Sequence, residues 1–402
     1  PSVSAQQVIN KNINVGGLNR TYLVYLPVSF SSAENMPAMF FFHGGGGTAN
    51  YALNFECDFR SLADSDRFIA VYPQAINSSS GTNSWDCLGD YHGGIDEVGF
   101  MSAMIDALAA DYNIDTQRVY AGGYSLGGSI VYDFAAYLPD RVAVIAPVAA
   151  NMWEWTLSDV NWTTPVACIH ILGTNDFYAP YNGNAFSIST AAQNAHFVGL
   201  NGAVDPPTVE GLGGNITRYT WDPGPDCHGH QHIVRQGGGH DAPSDYPQGP
   251  RWIWDFVSQY ELDGVTGCSD PTTFCQASLN ASGSAALIDW SGSTSVSAND
   301  LTLLIDGANP GLPGIFFYGG GQTFLPFGAG FRCVDGNLFR LPVVFCDSTG
   351  SAAYTLDLGD PSLPTSSIAV GETWNFQFWY RDPLIPTVPY NVSNGLSVPF
   401  TP

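Results

Sequence analysis

The chain has 402 residues, of which 45% are hydrophobic and 13% aromatic, which excludes a disordered polymer and leaves room for two or three cores. Only 12% are charged, 12 Lys and Arg against 36 Asp and Glu, for a net charge of −24. That charge excludes nucleic acid and anionic membranes as partners, and no run of 18 apolar residues is available to span a bilayer.

Pro1 stands where a start methionine would, so the chain is expected to be a secreted, extracellular protein whose signal peptide has been removed. Eight cysteines fit an oxidising compartment. Cys268 with Cys275 and Cys333 with Cys346 would close short loops, and Cys57 with Cys87 is a third expected pair. The pairing of Cys168 and Cys227 stays open. Asn77, Asn161, Asn215, Asn280 and Asn391 each begin an N-x-S/T sequon.

In chain order, 7–15 and 20–26 alternate and predict an antiparallel hairpin. Residues 37–42, PAMFFF, predict a buried strand that ends in the glycine loop 43–47, HGGGG. A helix is expected over 50–63 and a second buried strand over 68–72. Residues 74–90 are polar and predict a loop carrying Trp85 and Cys87. From Asp96 to about Tyr112 the apolar spacing is helical. The strand at Val119 then runs into Gly123-Tyr124-Ser125-Leu126-Gly127, followed by helical spacing in which Ile130, Phe134 and Tyr137 share a face. Further strands are predicted at 143–150, 165–172 and 232–235. Helices are predicted at 185–200 and 252–260, with a Gly/Pro-rich connection after residue 200.

Strands alternating with helices imply a mostly parallel sheet covered on both faces, with ligands at the carboxyl ends of its strands. His43, Ser125, Asp176 and His240 each fall just past such an end. From about residue 264 helical periodicity disappears. Short alternating segments at 301–305, 315–318, 341–345, 354–358, 374–380 and 396–400 predict an all-β sandwich-like domain. The expected domains are therefore 1–263 and 264–402. Trp374, Phe376, Phe378 and Tyr380 fall on one face as core, and Trp379 on the other, where exposure is expected.

The G-x-S-x-G pattern between strand and helix is the nucleophile elbow of the α/β-hydrolase fold, in which neighbouring glycines avoid Cβ collisions and the serine is lifted above the sheet. Ser125 is the expected nucleophile. His240, swung by three glycines, is the expected base. Asp176 fits the orienting carboxylate in the chain order Ser, Asp, His, with Asp222 and Asp226 as alternatives. The oxyanion donors are the N–H groups of Leu126 and of Gly45, with Gly44 the second choice and His43 a brace. Tyr124, Trp153, Trp155 and Tyr178 are candidate substrate-binding walls, the two tryptophans equally readable as packing. The alternating His228, His230 and His232 follow Cys227, but no second cysteine stands nearby to complete a metal tract, Asp241 and Asp245 are an ordinary acidic pair, and no metal is expected.

With these residues in place, the first 260 or so positions resemble the polyhydroxybutyrate-depolymerase-like esterases and the adjoining feruloyl and acetylxylan esterases of carbohydrate esterase family one. HGGGG at His43, DEVGF at Asp96, GYSLGG at Gly123, GTNDFYAPYNG at Gly173 and GGGH at His240 carry the resemblance. The family often continues GGGH with Trp-Pro-Gly, whereas Asp241-Ala242-Pro243 follows here. The resemblance implies a secreted serine esterase that needs no cofactor. Its substrate would be a feruloyl or acetyl polysaccharide ester or a polyhydroxyalkanoate. The segment from Cys268 is similar to an accessory β-domain attached to such esterases, and its position alone suggests that it holds an insoluble polymer near the site. A serine peptidase of the same fold and a non-catalytic carbohydrate-binding or adhesion protein are the competing readings.

Overall fold

The computed structural model describes residues 7–77, 82–87, 94–224, 227–265, 270–296, 298–359, 364–369, 372–383 and 389–400. The chain divides into two compact units, Pro1–Thr266 and Gly267–Pro402.

The first unit is a ten-stranded sheet. Its strands are β1 Gln7–Val15, β2 Leu18–Leu26, β3 Met36–Phe42, β4 Ile69–Pro73, β5 Ile114–Tyr124, β6 Val144–Val148, β7 Ala167–Gly173, β8 Thr208–Gly213, β9 Ile216–Trp221 and β10 His230–Arg235. Their order is β1-β2-β4-β3-β5-β6-β7-β10-β9-β8. From β4 to β10 neighbours run parallel, and β1–β2 and β8–β9 are antiparallel hairpins at the two edges. This is the α/β-hydrolase fold. The period of two explains the unbroken apolar strands. Phe40 and Phe42 enter one core with Val119 and Ala121, while Met39 and Phe41 enter the opposite one with Tyr120. Helices 97–112 and 126–137 cover the first face, and 249–257 the second.

Several expectations are corrected. The helix expected over 50–63 is broken into Ala49–Tyr51, a π-turn Ala52–Glu56 and Arg60–Asp66. The connection after residue 200 contains the β8–β9 hairpin. Cys57 and Cys87 are both free, because they belong to cores on opposite faces of the sheet. Cys168 is also free and buried, and Cys227 is disulfide-bonded. Cys275 pairs with Cys333, 58 residues away, and not with Cys268, which lies outside the described residues. Cys346 is free inside the second core. Tyr137 is exposed while Ile130 and Phe134 are buried.

The second unit is all β. Ile288, Leu303 and Ile305 of a three-stranded sheet pack with Phe316, Phe376 and Phe378 of a five-stranded one, as in a sandwich. Trp374 packs against that core and Tyr380 is inside it. Trp379 is covered on the other face by Phe327 and Tyr390, and Arg340 lies 5.5 Å over its ring. A hairpin of strands 321–327 and 330–335 supplies Phe327, and it had no clear alternation to announce it. The sequons at Asn280 and Asn391 are buried and serve the turns instead. Asn280 Oδ1 accepts from the Ser282 and Ser284 amides, and Asn391 Nδ2 donates to the Leu279 carbonyl.

The alternating histidines are core residues, and among the described residues no cluster of metal-ligating side chains occurs. His230 Nε2 meets Asn194 Oδ1, and His232 meets the His170 carbonyl and Tyr181 hydroxyl. Burial lowers His230 to about 3 and His232 to about 4, and His170 well below its ordinary value. The unfolded chain, titrating near 6.5, then binds more protons than the folded one between about pH 6.5 and 4. The contribution of these three histidines to folding stability is expected to be complete above pH 6.5 and to fall as pH drops through that window. Urea midpoints measured from pH 8 to 4 check this, and His232→Gln is expected to flatten the slope.

Candidate active site

The elbow is built by backbone contact. β5 ends at Tyr124, Ser125 takes φ 54° and ψ −122°, and helix 126–137 begins at once. This left-handed conformation is strained for a residue with a Cβ. Its amide donates to the Val148 carbonyl at 2.9 Å, and its carbonyl accepts from Ser129. A Cβ on Gly123 would lie 2.1 Å from the Gly127 carbonyl oxygen. One on Gly127 would lie 2.1 Å from that of Phe42 and 2.5 Å from that of His43. The glycines therefore let the elbow touch the loop after β3.

Three strand ends converge on Ser125. Its hydroxyl donates to His240 Nε2 at 2.8 Å, and His240 Nδ1 donates to Asp176 Oδ2 at 2.8 Å. The other oxygen of Asp176 accepts the amides of Tyr178 and Ala179 at 2.8 and 2.9 Å, and the carboxylate is fully buried. The loops carrying His240 and Asp176 interlock. Asn175 N donates to the Gly238 carbonyl, Gly237 N to Thr174 Oγ1, and Gly173 is packed so closely on Gly238 that a Cβ would lie 2.3 Å from its oxygen. Tyr124 Oη donates to the His240 carbonyl at 2.8 Å, and the imidazole sits between the rings of Tyr124 and Tyr178, 5.0 and 4.9 Å away. Asp222 is remote from this network, its carbonyl bonded to Val204 N, and Asp226 lies outside the described residues.

The glycine loop is held from behind. His43 is buried. Its Nδ1 contacts the Gly44 carbonyl at 2.7 Å, its Nε2 accepts the Ala75 amide, and its own carbonyl accepts Trp85 Nε1. Burial lowers its pKa to about 4, so it braces as a neutral ring. Gly44 N is turned toward Glu56, Gly46 N bonds to the Asn83 carbonyl and Gly47 N to that of Gly44. The amides of Gly45 and Leu126 have no acceptor among the described residues, and a Cβ on Gly45 would lie 3.7 Å from the Leu126 side chain. Gly45 lines the same pocket as Ser125, and Leu126 follows Ser125 directly in the chain.

A pocket of about 560 Å³ opens here, lined by Gly44–Gly47, Tyr51, Glu56, Tyr124, Ser125, Tyr178 and His240. Tyr124 and Tyr178 are on its wall as expected. Trp153 and Trp155 are not. They stack on each other at 5.0 Å, and Trp153 packs against the core and pairs with Ser187. Tyr51 and Glu56 were not anticipated, because the π-turn that follows Tyr51 and ends at Glu56 has no pattern of its own.

No family model matches the chain. A protein named bifunctional acetylxylan esterase/xylanase, from Neocallimastix patriciarum, is 30% identical over 265 residues, covering 65% of this chain and 36% of that protein. Poly(3-hydroxyalkanoate) depolymerase C from Paucimonas lemoignei is 31% identical over 157 residues, 38% of this chain and 36% of that one. Feruloyl esterase B from Piromyces equi is 25% identical over 268 residues, 60% of this chain and 46% of that one. The chain spans less than half the length of each of these relatives, all of which are named for the hydrolysis of carboxylic esters.

The serine hydroxyl is expected to react with a fluorophosphonate in wild type and not in Ser125→Ala. Asp176→Asn keeps the shape but loses the carboxylate that fixes the His240 tautomer, and is expected to slow labelling by roughly 10³-fold or more. Gel-based labelling kinetics on variants with native melting curves check both.

Proposed function

We propose that the chain is a serine carboxylic-ester hydrolase working through an acyl-enzyme. The observation that carries the reading is the unbroken relay Ser125–His240–Asp176 at an elbow, with two unengaged backbone amides beside the nucleophile. In this reading His240 Nε2 takes the Ser125 proton as Oγ attacks the ester carbonyl. The amides of Gly45 and Leu126 hold the oxyanion. His240 then passes the proton to the departing alcohol. Water, deprotonated by the same imidazole, releases the acid. Asp176 stays ionised and stabilises the imidazolium. Every step uses side chains and amides of this chain alone, with no cofactor.

The substrate class we infer is an ester on a plant polysaccharide, with an aromatic or acetyl acyl group. The pocket is walled by Tyr51, Tyr124 and Tyr178, whose rings suit an aromatic acyl group or a sugar face. Polyester cleavage, as the name of one relative has it, is the other outcome of the same test. We also place the protein outside the cell. The Cys275–Cys333 disulfide and the acidic surface suit that setting, and among the described residues no helix is long and apolar enough to cross a membrane.

Hydrolysis of p-nitrophenyl acetate, methyl ferulate, acetylated xylan and a polyhydroxybutyrate film, with wild type and Ser125→Ala, tests the reading. Turnover is expected on the first three and is expected to vanish in the variant. Absence of turnover on all four by folded wild type would overturn the esterase reading.

A further inference from the structure

The pocket is lined by one carboxyl side chain, Glu56, that none of the steps above uses. Glu56 ends the π-turn Ala52–Glu56, whose wide spacing, closed by Cys57 N to the Ala52 carbonyl at 3.0 Å, carries the carboxyl group inward. It is 4% exposed yet lines the pocket with Ser125 and His240. We propose that Glu56 is a positioning residue for the oxyanion loop that works as the neutral acid, so that its ionisation shuts the site on the alkaline side. The proposal rests on Ser125 being the nucleophile.

Geometry supports it first. Both carboxyl oxygens lie on the Gly44 amide, at 3.3 and 3.4 Å. Both contacts are longer than the about 2.7–2.9 Å of a charge-assisted bond, so they offset little of the cost of burying a charge there. By occupying the Gly44 amide, Glu56 turns that peptide away from the nucleophile and leaves the next amide, Gly45, for the oxyanion.

The surroundings offer an anion nothing. Among the described residues no Lys or Arg forms an ion pair with it. Facing it from its own turn are Tyr51 and the buried thiol of Cys57. From the loop after β3 comes neutral His43, and from the end of β5 comes Tyr124. Across the pocket stand His240 with Asp176 behind it. The turn packed on Phe55 through Ser244 adds Asp245, with Asp241 beside it. Burial accordingly pushes the Glu56 carboxyl up to about 7, with the Gly44 amide opposing. An ionised Glu56 would set a second negative charge beside the developing alkoxide in a poorly solvated pocket, where such repulsion is strong.

The test is the pH profile of kcat/KM from pH 5 to 10 on p-nitrophenyl acetate, an uncharged substrate, for wild type and Glu56→Gln. Wild type is expected to lose at least fivefold between pH 7 and 9, and Glu56→Gln to move that fall up by a unit or more. Glu56→Ala, which frees the Gly44 amide, is expected to lower kcat with little change in KM. Superimposable wild-type and Gln profiles, or a wild-type profile flat to pH 9, would overturn the role of Glu56 while leaving the esterase reading intact. No hydrolysis at any pH would overturn the esterase reading instead. Should neither variant fold, infrared difference spectra of wild type between pH 6 and 8 decide. Loss of a protonated carboxyl band supports the proposal, and its absence overturns it.

Discussion

The contact on which the structure depends is backbone against backbone. Gly127, in the first turn of the helix after Ser125, rests on the carbonyls of Phe42 and His43 so closely that no side chain fits. That approach joins the ends of β3 and β5 and brings the glycine loop into the same pocket as Ser125. It also requires Ser125 to sit at φ 54°, a conformation that costs free energy and persists only because the surrounding core over-determines it. The core does so from both faces. Ile130 and Phe134 anchor the helix in one layer, while Tyr120 and Val148 fix the strands in the other.

A second constraint fixes His240 relative to Asp176. His240 and Asp176 come from loops after β10 and β7, which pair in parallel from His230↔Cys168 to Arg235↔Gly173. The pairing brings the two loops into register, and Gly173 against Gly238 closes the gap. Beyond His240 the chain turns away through Asp241-Ala242-Pro243. Arg235 pairs with Asp241 at 3.0 Å, donates to the Asp245 carbonyl, and lies 4.2 Å over the ring of Tyr246. Asp245 in turn accepts the Ala242 amide. An ion pair and a carboxylate-capped turn thus hold one wall of the pocket.

What was legible in the sequence was whatever repeats or punctuates. Apolar runs of five to seven residues gave the central strands, and glycine clusters marked the strand ends where His43, Ser125, Asp176 and His240 stand. The broken helix over 49–66 was not legible, because a π-turn keeps helical composition while shifting every later side chain, and Glu56 was hidden with it. Nor was the β8–β9 hairpin, whose strands face solvent on one side and carry Gly211, Gly213 and Gly214 within and between them. Cysteine spacing misled for a related reason. Proximity along the chain says nothing about which face of a sheet a thiol occupies, so Cys57 and Cys87 are separated by the sheet itself.

The same distinction separates the walls of the pocket. Tyr124 precedes Ser125 and Tyr178 follows Asp176 by two residues, and both line the pocket, Tyr124 held by its bond to the His240 carbonyl and Tyr178 exposed. Trp153 and Trp155 follow β6 with space to fold back, and there burial of two large rings outweighs exposure at the pocket mouth. Proximity to a nucleophile along the chain therefore predicts a wall only where the backbone is already committed. In this site that commitment comes from glycine contacts, and Glu56 shows the converse case. It is 69 residues from Ser125 in sequence, and it reaches the pocket because one irregular turn points it there.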